Sequence, residues 1–109
     1  MMDKLMKHIR YAVDAEQQEA ESNHGRVFAS AHEGYGVLAE ELQEATDEEE
    51  HVMTSLGKLL YAIRQDSVED IENVCLRIER CAVLAACEYC QVAAMARKMI
   101  LTMNESKEA

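Results

Sequence analysis

Apolar residues recur along this chain at steps of three and four, the spacing that gathers side chains on one face of an α-helix. Four such stretches stand out. Residues 3–22 carry Leu5, Ile9, Ala12, Val13 and Ala20, with Glu16, Gln17, Gln18, Glu19 and Glu21 filling the other faces. Asn23-His24-Gly25 stops this helix, because glycine tolerates the left-handed conformation that closes a helix end. After a short connection over residues 25–30, Ser30-Ala31-His32-Glu33 reads as a capping box, with the serine side chain accepting from the third amide. The helix it opens runs over residues 31–50, with Tyr35, Leu38, Leu42 and Ala45 as its stripe. A third stretch over residues 52–65 presents Val52, Leu56, Leu59, Leu60 and Ile63. Asp47-Glu48-Glu49-Glu50 contains no breaker and Gly57 is a weak one, so the second and third helices can be separate or continuous. Asp66 and Ser67 both fit a new N-cap followed by acidic residues in the first turn. The fourth helix spans residues 68–103 with the stripe Ile71, Val74, Ile78, Ala82, Ala85, Tyr89, Val92, Ala96, Met99 and Met103. Residues 104–109 read as a frayed polar tail. The expectation is all-α: a helical bundle of about four helices, the C-terminal one long, in a single domain over residues 1–109.

Composition agrees. The 109 residues include no Pro, no Trp, one Phe and four Gly, which disfavours an aromatic-rich β core. The net charge of −10 opposes binding to nucleic acid or to an anionic membrane, since both are polyanions. The longest apolar run, Cys81 to Cys87, ends at Glu88 and falls far short of the roughly 18–20 residues that span a bilayer. With no secretory core in the first ten residues, the reading is cytoplasmic, with the four cysteines reduced. On one straight helix four thiolates cannot surround a zinc ion tetrahedrally. They read as small packing residues.

Charge patterning supplies the candidate chemistry. In Glu40-Glu41-Leu42-Gln43-Glu44, Glu41 and Glu44 are neighbours at i,i+3 and Glu40 and Glu44 at i,i+4. Carboxylates so placed repel one another unless a divalent cation joins them, and Mg²⁺ takes oxygen ligands of this kind. A solvated acidic face is the competing reading, and spacing alone favours it. Glu88 is the less ordinary residue. It interrupts a small, apolar stretch, where a carboxylate must be paired, ligating or at a rim. Gln91 lies one turn later and offers an amide oxygen. His32 and Glu33 open the second helix beside the loop. His32 could hold a substrate, although a capping or surface role is commoner. Tyr35 at helical spacing reads as core.

The blocks from Ser30 to Glu44 and from Glu88 to Ala96 resemble those of small bacterial and phage-type MazG-like proteins, a branch of the all-α nucleotide pyrophosphohydrolase superfamily. They cover about a quarter of the chain. The resemblance implies a motif E-E-x-x-E on one helix, matched by Glu40, Glu41 and Glu44, and E-x-x-D on another, matched by Glu88 with Gln91 standing where Asp is expected. It implies Mg²⁺, or Mn²⁺, held by Glu41, Glu44, Glu88 and Gln91, with Glu40 and Glu41 in catalysis; His32 and Glu33 are substrate candidates from their place beside the loop, not from the resemblance. The substrate implied is a nucleoside triphosphate, cleaved to monophosphate and pyrophosphate by a homo-oligomer, a dimer first of all. Gln91 removes one charge and one strong ligand. Glu69-Asp70-Ile71-Glu72 is an alternative second motif with better spacing, at a helix start without the apolar surroundings of Glu88. Two other readings stand beside the enzyme: a catalytically degenerate helical protein that binds or regulates another protein, and a purely structural coiled coil.

Overall fold

The structure, a computed structural model, describes residues 2–108, with side chains described to residue 106. The described residues form three helices and no strand: α1 (Met2–His24), α2 (Ala31–Arg64) and α3 (Val68–Glu108). The all-α expectation holds, while the count of about four does not. The second and third stretches are one helix, because neither the acidic run at residues 47–50 nor Gly57 interrupts the backbone ladder. The expected frayed tail is likewise helical through Glu108.

Local chemistry sets each helix end. Gly25 adopts φ +87° and its N–H donates to the Glu21 carbonyl at 3.1 Å, so the predicted stop operates. The Ser30 side chain accepts from the Glu33 amide at 3.1 Å. At the far end Asp66 takes the left-handed conformation (φ 52°), and the Ser67 amide reaches back to the Ala62 carbonyl at 3.2 Å. Of the two candidate caps for α3, Ser67 is the one used, accepting from the Asp70 amide at 3.3 Å.

The turn at residues 65–67 folds α2 back along α3 as an antiparallel hairpin, giving an elongated molecule of 65 × 30 × 22 Å. The hairpin seam keeps an alternating three-and-four spacing. On α2 it comprises Gly34, Leu38, Glu41, Ala45, Glu48, Val52, Ser55, Leu59 and Ala62; on α3 it comprises Ile71, Val74, Ile78, Cys81, Ala85, Glu88, Val92, Met95, Met99 and Thr102, all buried or half-buried. This is the 3.5-residue repeat of a left-handed coiled coil. It corrects the expected stripes. Ala82 and Ala96 are exposed, as are Tyr35 (74%), Leu42, Leu56, Leu60, Ile63 and Tyr89. Among the cysteines, only Cys81 is fully buried, while Cys75 and Cys87 are exposed.

α1 packs against α3 and not against α2. Val13 is its one fully buried residue, and Arg97 of α3 ties it down through Asp14 and Gln17. The connection is anchored by Phe28, 4% exposed, whose amide donates to the Thr102 hydroxyl at 3.0 Å. Gly34 faces Phe28 and Met99 so closely that a Cβ there would collide with both. None of these helices, over the described residues, is long and apolar enough to cross a membrane.

Candidate functional site

Where α1 lies alongside the hairpin, the seam carries acids instead of apolar side chains. Glu41 and Glu48 of α2 and Glu88 of α3 all occupy seam positions and all are half-buried. Glu44 lies one turn beyond Glu41 at the exposed edge. Glu41, Glu44 and Glu88 each offer a carboxylate oxygen, and these oxygens lie within 4.8 Å of one another. The hairpin therefore brings Glu88 to Glu41 and Glu44, from which it is 47 and 44 positions away in sequence, on two helices held in register by the seam.

The trio is electrostatically unrelieved. One oxygen of Glu41 and one of Glu88 (Oε2 in each) are buried without a hydrogen-bond partner. Burial pushes the Glu41 carboxyl above the ordinary carboxylate range, and Glu44, Glu88, Glu40 and Glu16 push in the same direction. Burial likewise raises Glu88, followed by the charge of Glu44, a carboxyl–carboxyl hydrogen bond with Glu44, and the charges of Glu48 and Glu16. Every neighbour named for these two groups is another acid. Carboxylate oxygens grouped in this way are donors of the type that hard divalent ions take.

Next to the trio is a cavity of about 570 Å³ between all three helices. Glu41 and Gln91 form the wall it shares with the acidic cluster, and Glu33, His24, Phe28 and Lys98 are among its other lining residues. Lys98 is 6% exposed, with its ammonium 4.6 Å from the centre of the Phe28 ring, a cation–π contact that compensates part of its burial. The size falls within the range of small-molecule sites.

The sequence-derived candidates divide accordingly. Glu41, Glu44 and Glu88 converge. Gln91 is half-buried on the cavity wall. Glu40 is exposed and outside the trio, although close enough to raise Glu41. Glu33 lines the cavity, whereas His32 is exposed and does not. Glu69, Asp70 and Glu72 are exposed at the opposite end of the hairpin. Sequence reasoning missed Glu16, Lys98 and Phe28. Lys98 and Phe28 carried a usable signal: a lysine inside a long apolar helix and the chain's single phenylalanine beside a capping box. No family model matches the chain, and neither the curated proteins nor the solved structures give a match.

Proposed function

We propose that this chain is a Mg²⁺-dependent nucleoside triphosphate pyrophosphohydrolase of MazG-like type, converting a triphosphate to the monophosphate and pyrophosphate. The observation that carries the reading is the pair of buried, partnerless carboxylate oxygens on Glu41 and Glu88, one on each helix of a coiled-coil seam where apolar side chains belong. Keeping two acids there costs stability, and ligation supplies a reason for the cost. The likeness to MazG-like proteins rests on the motif residues alone.

Glu41, Glu44 and Glu88 would hold the cation, Mg²⁺ or Mn²⁺. Bound there, it would neutralise phosphate charge and polarise a phosphoryl oxygen. That also answers how an acidic protein admits a polyanion. Glu40, outside the trio, is the carboxylate left to accept the proton of the attacking water. Gln91 contributes an uncharged amide that can orient a ligand or Glu88 without adding charge. The neighbouring cavity has room for the nucleoside, with Glu33 as an acceptor for its hydroxyl or amino groups.

The test is release of pyrophosphate from a panel of ribo- and deoxyribonucleoside triphosphates with Mg²⁺ or Mn²⁺, comparing the wild type with Glu41→Gln. The expected result is metal-dependent turnover that falls at least ~100-fold in the variant, as when one group essential to charge stabilisation is removed. A folded protein without turnover on any substrate sinks the enzyme reading. It would favour the second reading, a catalytically degenerate protein that binds another protein, for which Gln91 in place of an acid is the specific observation.

A further inference from the structure

The cavity beside the trio holds a cation that nothing in the fold neutralises. Lys98 is the only Lys or Arg among its lining residues, against the carboxylates of Glu16, Glu19, Glu33 and Glu41. Lys98 is more than nine-tenths buried. It makes no ion pair among the described residues, whose two ion pairs are Arg26–Glu105 and Arg97–Asp14. The Phe28 ring covers one side of the ammonium. A ring face does not replace a lone pair for its three N–H donors, and burying a cation without an acceptor is costly.

Position along the helices decides which part of a ligand meets it. On α3, Lys98 stands seven residues beyond Gln91, about 10 Å along the axis. On α2, Glu33 stands eight residues before Glu41, about 12 Å along the axis. The two helices run antiparallel, so both steps lead the same way, out from the trio. Both residues flank Phe28: Lys98 sits over its ring face, and Gly34, next to Glu33, lies against its Cδ2 atom. The cavity thus has a metal end at Glu41 and Gln91 and a far end at Glu33 and Lys98. Mg²⁺ holds oxygen ligands at about 2 Å, which keeps the phosphates at the metal end. The acid-lined wall beyond repels further phosphate and accepts from N–H and O–H groups. A nucleoside fits that wall and a phosphate does not.

We infer, on the pyrophosphohydrolase reading of the trio, that the far end is a base site selective for guanine, with the Lys98 ammonium donating to O6 and N7 and the Glu33 carboxylate accepting from N1–H and the 2-amino group. Guanine alone among the bases joins a two-acceptor edge to a two-donor edge. Adenine turns its 6-amino donor toward the ammonium and leaves both unpaired, and a site built on hydrogen bonds rejects such an analogue. Inosine and adenosine test this directly. They share the sugar and differ only at position 6 and N1, where inosine has an oxo group and N1–H. Neither carries phosphate, so neither needs the metal. The metal-free protein is titrated with each to millimolar concentrations, with backbone amide chemical shifts as the readout. Inosine is expected to bind at least ~10-fold more tightly than adenosine. Lys98→Met keeps an apolar stem and loses the ammonium, and should bring that ratio below ~3-fold. Glu33 is exposed, so Glu33→Ala leaves the packing intact, and it should weaken inosine binding at least ~3-fold even if the Lys98 variant does not fold. Equal binding of the two nucleosides, tighter adenosine, no binding of either, or binding indifferent to both variants would overturn the base site. Loss of the base preference with pyrophosphate release intact would strike the base site alone. The preference without any pyrophosphate release would strike the enzyme reading alone.

Discussion

The two ends of the hairpin are built to different standards. Toward residues 52–81 the two helices meet along one line of side chains (Val52, Ser55, Leu59 and Ala62 against Ile71, Val74, Ile78 and Cys81), and apart from the capping Ser67 the residues outside that line are exposed, including Leu56, Leu60 and Leu76. Toward residues 34–45 and 88–102, α1 and the connection add a second line on α3 through Ala94 and Lys98, and Phe28 closes the end. The candidate chemistry lies in the second region. A carboxylate trio needs fixed geometry, and three elements fix side chains that two leave free. A two-helix layer with apolar outer positions is, by contrast, the form a docking surface takes.

Substitutions that separate the two ends sharpen this contrast. The largest effect is expected from Phe28→Ala. It empties a packed site and strips the ring from Lys98, so unfolding in urea should show a loss of about 3 kcal/mol or more. Truncating the exposed Leu76 at the other end should change the unfolding free energy by no more than about 0.5 kcal/mol. The glycines give a finer comparison, with opposite signs. At Gly34 a Cβ meets Met99, whose flexible end can swing away, and Phe28 at 2.9 Å, which cannot. Gly34→Ala should therefore cost about 1–2 kcal/mol despite the better helix propensity of alanine. Gly57 has nothing within 4 Å of its would-be Cβ, and Gly57→Ala should stabilise α2 by about 0.5–1 kcal/mol. Thermal melts of the pair read both signs directly. Equal behaviour at the two positions would mean that the second line of packing adds nothing.

Helix positions and caps were legible because they rest on neighbouring residues: Gly25, Ser30 and Ser67 act within a turn of where they stand. Glu41, Glu44 and Glu88 were singled out from spacing and from the apolar company of Glu88. What was not legible was which face of each helix turns inward. Steps of three and four fit several registers when small residues abound, and the run from Cys81 to Ala96 offers apolar side chains on nearly every face. The stripe through Ala82, Tyr89 and Ala96 is one residue out of step with the one through Cys81, Glu88 and Met95. That single step moves Glu88 from beside the seam into it. The most hydrophobic register is not the one adopted, so sequence pattern alone hides the acid's true place. The cavity was hidden for another reason: it depends on how α1 crosses α3, and no local signal encodes a crossing.

Placing acids in the well-packed end has a smaller, pH-dependent consequence. Glu41 and Glu88 hold their protons more tightly in the folded chain than when unfolded, because burial and Glu44, Glu40, Glu48 and Glu16 oppose their ionisation. Between the ordinary carboxylate range and their raised folded values, the folded state therefore binds more protons than the unfolded one. Stability then falls as pH rises through that window and levels off above it. In metal-free buffer the melting temperature should drop across this window, and Glu88→Gln, which keeps the shape and removes the charge, should flatten the decline. Added Mg²⁺ should restore the lost stability above the window in the wild type and do less in the variant, since a ligand that binds only the folded state raises its stability by mass action. A melting temperature that is indifferent to Glu88→Gln at every pH would mean that the seam carries its acids at no cost, and the contrast between the two ends would then be one of packing alone.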